Sequence, residues 1–311
     1  MMVVKIDNLV KRYKEVLAVD HFSMEVAEGE ILGLLGPNGS GKTTTINCLL
    51  SLLTTDKGTI EVFGKTMKPD AYDIKRNIGV VQQNVAVFEE LTVYENIDYF
   101  CSLYVKDSAT RKKLVNEVIE FVALGEYVKF YPKKLSGGLL RRLNIACGVV
   151  HKPKLIIMDE PTVAVDPQSR DYILKGIQKL NREGATIIYT SHYMEEIEQI
   201  CTRIVVIDGG KNLAQGTKEE LKRMIKTGET IHIDVLKLSS EQINAVSALP
   251  NVFRASYEND ILSVHCTQGS HNLTGILDYL NQSGIEYGRV VSELPTLNDV
   301  FLELTGKKLR D

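Results

Sequence analysis

The run Gly36-Pro37-Asn38-Gly39-Ser40-Gly41-Lys42-Thr43 constrains this chain more than any other stretch, because it matches GxxxxGK[ST], the pattern of a phosphate-binding P-loop. Its context is the required one. Ile31–Leu35 before it is a continuous apolar run, as expected for a strand buried on both faces, and Thr43–Leu53 after it is predicted to be a helix. Glycines are needed because consecutive backbone N–H groups must point inward around phosphate oxygens, in conformations a side chain would obstruct. The helix N-terminus adds its partial positive charge. Gly36, Asn38, Gly39, Ser40, Gly41, Lys42, Thr43 and Thr44 are therefore the candidate nucleotide-binding residues. Lys42 is expected to reach the β- and γ-phosphates, and the Thr43 hydroxyl to ligate Mg²⁺.

A second constellation lies 117 residues after Lys42, where Leu155-Ile156-Ile157-Met158 runs into Asp159-Glu160. An apolar strand delivers such carboxylates to the carboxyl edge of a sheet, where ligands of open α/β sheets bind. Asp159 is expected to hold Mg²⁺ through water, and Glu160 to accept a proton from an attacking water. An acidic pair after a strand is by itself more often a solvated loop; the P-loop upstream reverses those odds. Leu135-Ser136-Gly137-Gly138 is a further anion-binding device, with a hydroxyl, two unhindered N–H groups and the start of a predicted helix. Read alone it is equally an ordinary N-cap and turn.

The rest of the chain is consistent with an α/β protein. Over the first two thirds strands alternate with helices, Thr186–Thr190 being another buried run. Between them, about residues 84–134, helical spacing dominates, with Leu114, Val118, Phe121 and Val122 on one face. The rhythm changes near Asp208-Gly209-Gly210. Thr217 to Glu220 fits a capping box opening a short helix through Lys226. Beyond it the order is a strand with Ile231, Ile233 and Val235, a helix capped by Ser239, a hairpin of Val252–Tyr257 and Ile261–Cys266, a helix with Leu273, Ile276, Leu277 and Leu280, a strand over Ile285–Ser292, and a last helix opening at Thr296. That βαββαβ order with a final helix suits a small ferredoxin-like sandwich.

Composition excludes several classes. With 37 Lys and Arg against 40 Asp and Glu, the net charge of −3 argues against a dedicated nucleic-acid binder. No apolar run approaches the ~20 residues that cross a bilayer, and the first ten residues alternate like a strand, not like a signal peptide. Five scattered cysteines without a CxxC pair read as small buried hydrophobes in a reducing cytosol.

P-loop, LSGG and LIIMDEPT in this order resemble the ATP-binding cassette of ABC transporters over about residues 3–216. The resemblance implies a P-loop NTPase cassette with a mixed-sheet core and a helical subdomain at about 84–150, a linker helix at 217–229, and a C-terminal regulatory or dimerisation domain at 230–311. It implies that Tyr13 stacks on adenine, that Gln83 contacts Mg²⁺ and water and senses a transmembrane partner, that Asp166 is the D-loop aspartate, and that His192 meets the γ-phosphate. Read alone, these are a half-buried aromatic, a surface glutamine, a helix N-cap and a hydrogen-bonded histidine at a strand end. Three positions depart from the family pattern: Leu139 where many cassettes carry Gln, Ala164 where Gly is frequent, and Gln82 where Pro or an aromatic is common.

The tail Leu294–Gly306 is similar to that of ABC-2-type exporters, the drug-, antibiotic- and sodium-efflux branch. The implied function is an ATPase subunit, cytoplasmic and peripheral on the inner face of the cell membrane. Two such cassettes, as a homodimer or heterodimer, would sandwich ATP between the P-loop of one and Ser136, Gly137 and Gly138 of the other, and drive a separate ABC-2-type permease. The competing reading is a soluble ABC ATPase acting on nucleic acid or ribosomes. A single P-loop, the close spacing of Lys42 and Asp159 without sustained heptads, and the acidic balance count against it.

Overall fold

A computed structural model describes residues 1–267 and 272–306; the last residues of the expected C-terminal domain, 307–311, lie outside them. Two compact units divide at Thr217. The first consists of β1 (Met2–Tyr13), β2 (Val16–Ala27), β3 (Ile31–Leu35), α1 (Lys42–Leu49), β4 (Lys57–Val62), β5 (Lys65–Thr66), α2 (Tyr72–Lys75), β6 (Ile78–Val81), α3 (Val93–Ser102), α4 (Ser108–Phe121), α5 (Gly137–Val149), β7 (Leu155–Asp159), α6 (Pro167–Arg182), β8 (Thr186–Ser191), α7 (Met194–Ile200), β9 (Arg203–Asp208) and β10 (Lys211–Gly216).

Every residue of β3, β7 and β8 is buried, as their unbroken apolar runs predict. They belong to a six-stranded sheet of order β10-β9-β3-β8-β7-β6, parallel except for β10. A four-stranded antiparallel sheet of order β2-β1-β4-β5 packs in the same apolar core, which joins Ile6, Phe22 and Met24 to Ile46 and Leu49 of α1 and to Leu32, Ile157 and Ile188. The α1 helix is shorter than the predicted Thr43–Leu53. Ser51 takes a left-handed φ of 54° and turns the chain away.

Residues 84–150 carry α3, α4 and α5, which pack on one another. The buried stripe of α4 is Val115, Val118 and Ile119. Leu114 and Phe121, expected to lead that face, are only half-buried, so the helix is rotated by about one residue from the predicted orientation. The C-terminal part of α5 is pressed onto β6, where a Cβ on Gly148 would come within 2.7 Å of the Val80 carbonyl oxygen.

The second unit contains α8 (Lys218–Met224), β11 (Thr227–Asp234), α9 (Ser240–Ser247), β12 (Val252–Glu258), β13 (Ile261–Thr267), α10 (Asn272–Gln282), β14 (Val290–Glu293) and α11 (Leu297–Thr305). Its antiparallel sheet runs β12-β13-β11-β14, the strand order of a ferredoxin-like sandwich. Ile231, Ile233, Leu262 and Val264 pack against Val246 of α9 and Ile276 and Leu280 of α10. Ser239, the expected cap, and Thr296, the expected helix start, form capping boxes with Gln242 and Asp299. Two boundaries differ from expectation. The strand β11 opens at Thr227, ahead of the expected domain start at 230, and β14 covers only Val290–Glu293 of the strand expected over Ile285–Ser292. Ile285 instead drops its side chain into the core directly after the left-handed Gly284.

All five cysteines are free, and four of them are buried. Burial pushes the Cys266 thiol up to about 11, which keeps it protonated. His151, just beyond α5, stacks on Tyr104 with centroids 3.7 Å apart, and its Nε2 lies 3.3 Å from the Ile78 carbonyl oxygen. Burial lowers its pKa from 6.5 to about 4. Above the ordinary value the ring is neutral both folded and unfolded. As pH falls through that window, the unfolded chain takes up a proton that the folded one refuses, so stability is lost. The loss approaches about 3 kcal/mol by pH 4. His151→Phe keeps the stack and is expected to flatten this pH dependence, read from urea unfolding at pH 7 and pH 4.5; an unchanged slope would refute the assignment.

Candidate functional site

The carboxyl edge of the six-stranded sheet gathers four loops. β3 ends in the phosphate loop, β8 in His192, β7 in Asp159-Glu160 and β6 in Gln82-Gln83. Because β8 lies between β3 and β7, His192 stands between the phosphate loop and the acidic pair, although it follows both in the chain. The register aligns Leu35 with Ser191, Asp159 with Thr190 and Val81 with Met158.

The loop backbone requires its glycines. Gly39 and Gly41 take φ of 80° and 106°, and a Cβ on Gly41 would lie 2.6 Å from the Ala18 carbonyl oxygen. A Cβ on Gly36 would run into the Ile207 carbonyl. No side chain caps α1, so its first-turn amides are available to an anion. The Ser40 hydroxyl is buried without a protein partner, which also fits a cradle for ligand oxygens. Gly210, where the sequence rhythm changes, braces this loop by donating its N–H to the Ser40 carbonyl at 2.9 Å.

Lys42 is buried and its ammonium donates to the carbonyls of Gly36 at 2.7 Å and Pro37 at 3.1 Å. Its third neighbour is Glu160 Oε1 at 3.1 Å. His192 Nδ1 lies 3.2 Å from Glu160 Oε2, but off the line of a hydrogen bond. Gln83 Nε2 donates weakly to the same oxygen at 3.4 Å. Thr43 Oγ1 donates to Asp159 Oδ2 at 2.8 Å. Lys42, Thr43, Gln83, Asp159, Glu160 and His192 therefore meet in one cluster. Its oxygens on Thr43 and Asp159 suit a hard divalent cation such as Mg²⁺. Glu160 reaches this place through a left-handed backbone, φ 47°, at the sharp end of β7.

The remaining candidates lie around this cluster. Tyr13 is 44% exposed at the end of the β1–β2 hairpin, the hairpin whose Ala18 carbonyl abuts Gly41. Ser136 is the N-cap of α5, accepting from the Leu139 N–H, and both Ser136 and Gly137 are exposed. Gly138 is buried against Ser169 and Asp166, which a Cβ would strike. Asp166 is the N-cap of α6, accepting from the Ser169 N–H at 2.9 Å, and this backbone hydrogen bond lowers its carboxyl pKa. Ala164 adopts φ 59°, a left-handed conformation that explains the frequent Gly of similar loops and costs an alanine about 1 kcal/mol. A cavity of 940 Å³ between α4 and α6, near Phe121 and Tyr172, contains none of these residues.

Two groups of supporting residues were not predicted. Arg141 Nη1 donates to the carbonyls of Gln82 at 3.2 Å and Gln83 at 2.8 Å, and Asn144 to that of Gln82 at 3.2 Å, so α5 holds the Gln83 loop. Their positions one and two turns beyond LSGG were the available signal. Thr190 Oγ1 donates to Asp159 Oδ1 at 2.6 Å and accepts from the Glu160 N–H at 3.0 Å. Thr190→Val removes both bonds at nearly constant shape. It is expected to weaken Mg²⁺-dependent nucleotide binding by about 1–3 kcal/mol, measured by titration calorimetry; unchanged affinity would show that Asp159 is held without it.

Comparison with known proteins gives the family and the fold. The family model "ABC transporter" matches residues 19–163, and that of the "ATP-binding protein DrrA1-3-like, C-terminal domain" matches residues 216–305. The chain is 38% identical to the linearmycin resistance ATP-binding protein LnrL of Bacillus subtilis, over 98% of this chain and 99% of that protein. It is 35% identical to the daunorubicin resistance ATP-binding protein DrrA3 of Streptomyces coeruleorubidus, over 99% and 97%. It is 33% identical to the Nod factor export ATP-binding protein I of Ralstonia nicotianae, over 99% and 95%. Among solved structures, a dimeric ATP-binding cassette in a post-hydrolysis state with ADP and Pi superposes with TM-score 0.64 at 25% identity, over 69% of this chain and 98% of that one.

Proposed function

The chain belongs to the ABC transporter ATP-binding family, and on that premise we propose how its residues carry out the work of an exporter ATPase. It is an ATP-binding and ATP-hydrolysing subunit that dimerises and drives a membrane permease. The permease is of the ABC-2 type, and the subunit works as a peripheral protein on the inner face of the membrane. Among the described residues no helix is long and apolar enough to cross a bilayer. The relatives' names, two of drug resistance and one of Nod factor export, support efflux.

The observation that carries the catalytic reading is the meeting of Lys42, Glu160 and His192 at the end of the phosphate loop. The loop amides and Lys42 bind the phosphates, with Tyr13 against the adenine. Thr43, Gln83 and Asp159 hold Mg²⁺, which when bound neutralises phosphate charge. Glu160 accepts the proton of a water that attacks the γ-phosphorus, the bond to the bridging oxygen breaks, and ADP leaves. His192 donates to the γ-phosphate and keeps it in line with that water.

Ser136 and Gly137 face solvent beside the Ala164–Asp166 loop, so the LSGG group is presented to a second cassette. Two cassettes, identical or paired with a relative, then close head to tail on ATP. ATP binds the closed pair preferentially and so shifts the population towards closure. Hydrolysis releases that bias. The functional division is a cassette, a linker helix and a C-terminal regulatory or dimerisation domain; the compact units on either side of Thr217 support it. Glu160→Gln is expected to retain ATP binding, to trap an ATP-bound dimer in size-exclusion chromatography, and to lower turnover at least about 100-fold. Near-normal turnover would remove Glu160 as the base.

The permease is received beside the Gln83 loop. Phe88, Tyr99, Leu103 and Tyr104 are 43%, 43%, 59% and 40% exposed, and Phe88 packs edge-on to Tyr99 at 4.9 Å. An exposed aromatic group of this kind suits a protein interface. Leu103→Glu is expected to leave the basal ATPase of the isolated subunit within two-fold and to abolish co-purification with the permease. Retained co-purification would place the docking surface elsewhere.

A further inference from the structure

Glu196, on α7, is a carboxylate that the reaction itself does not use, and it is 2% exposed. Burying a carboxylate costs several kcal/mol unless its oxygens are satisfied. Here they are satisfied by groups from three other segments. Thr162 Oγ1 donates to Oε1 at 2.7 Å. Tyr189 and Ser191 hydroxyls donate to Oε2 at 2.8 and 2.9 Å. Arg170 Nε lies 3.4 Å from Oε1. Burial, reinforced by the Glu196 charge, raises the Tyr189 pKa well above its ordinary value, which keeps the phenol a donor.

The partners are placed where the chemistry is decided. Thr162 is two residues beyond Glu160, and Ser191 immediately precedes His192. Ser191 Oγ also accepts from the Tyr193 N–H at 2.9 Å, so the backbone on both sides of His192 is pinned. Arg170 lies in the first turn of α6, behind its Asp166 cap, with its guanidinium 4.9 Å from the Tyr193 ring centre. Side chains alternate along β8. Thr190 turns to one face and holds Asp159 and Glu160, while Tyr189 and Ser191 turn to the other and hold Glu196. Gly33 permits this arrangement, since a Cβ there would lie 2.8 Å from Cys201 Sγ at the end of α7.

We propose that Glu196 is a positioning residue that sets His192 and Glu160 against each other and ties both to the Asp166 loop through Arg170. It is buried behind the two loops and acts through the Thr162 and Ser191 hydroxyls. The loop that a second cassette meets and the histidine that contacts the γ-phosphate thus share one buried carboxylate. The inference rests on the roles of His192 and Glu160 proposed above.

The test is steady-state ATPase kinetics of the full chain, with nucleotide affinity measured in parallel. Glu196→Gln and Thr162→Val are expected to lower kcat about ten-fold and several-fold, with KM and ATP affinity within two-fold. Thr162→Ser keeps the hydroxyl and is expected to restore most of kcat. In a His192→Ala background, Glu196→Gln is expected to cost less than it does alone, because part of its effect passes through the histidine and the rest through Glu160. Unchanged kcat in Glu196→Gln beside a slow His192→Ala overturns the positioning role alone. Wild-type turnover in His192→Ala overturns it together with the reading it rests on. Equal losses in kcat and affinity, or full additivity with His192→Ala, reduce Glu196 to a structural residue. If Glu196→Gln fails to fold, the kcat and affinity of Thr162→Val and Arg170→Gln decide by the same criteria.

Discussion

A buried ammonium is tolerable only where oxygens surround it, and the surroundings of Lys42 organise the whole catalytic edge. Two of its neighbours are carbonyls of its own loop, Gly36 and Pro37, and the third is Glu160 from another strand. The loop carbonyls can point inward only because the glycines around them adopt conformations closed to other residues. Glu160 reaches the ammonium only because β7 ends in a left-handed turn at that residue. The strain at Glu160 is retained because Thr190 receives its N–H and the buried sheet leaves no alternative.

Beyond these contacts, the Gln83 loop and the LSGG N-terminus are held by residues with no reactive role. Arg141 and Asn144 fasten the carbonyls of Gln82 and Gln83 to α5, the helix whose N-terminus carries the LSGG group. Gly138 and Ser169 bring that N-terminus against the Asp166 cap. The Gln83 loop, the LSGG group and the acidic pair are therefore linked through close packing and hydrogen bonds. Such links transmit a change only as discrete rearrangements, because packed interiors do not deform continuously.

Much of this was legible from residue order. The phosphate loop, the acidic strand end and the LSGG cap are local patterns, and each lies on the predicted element. The capping boxes at Ser239 and Thr296 and the hairpin between β12 and β13 were equally readable, since a few neighbouring residues determine them. The errors were of another kind. The end of α1 depended on a left-handed Ser51 with no warning in its sequence, and the face of α4 was set by its packing against α3 and α5, which its own periodicity does not show. Asp166 caps α6 beside Gly138 of the LSGG group, a placement that spacing alone did not show.

The sequence by itself determined the fold class and the placement of the glycine loop, the acidic strand end and the helix caps on their elements, because glycine conformation, strand burial and helix capping are short-range physics. Only the tertiary structure decided that β8 lies between β3 and β7, that Thr190 serves both Asp159 and Glu160, and that Glu196 gathers the Thr162 hydroxyl beside those of Tyr189 and Ser191. Those contacts join residues that no spacing rule connects. They exist because a buried charge must find partners wherever packing has brought them within hydrogen-bond reach.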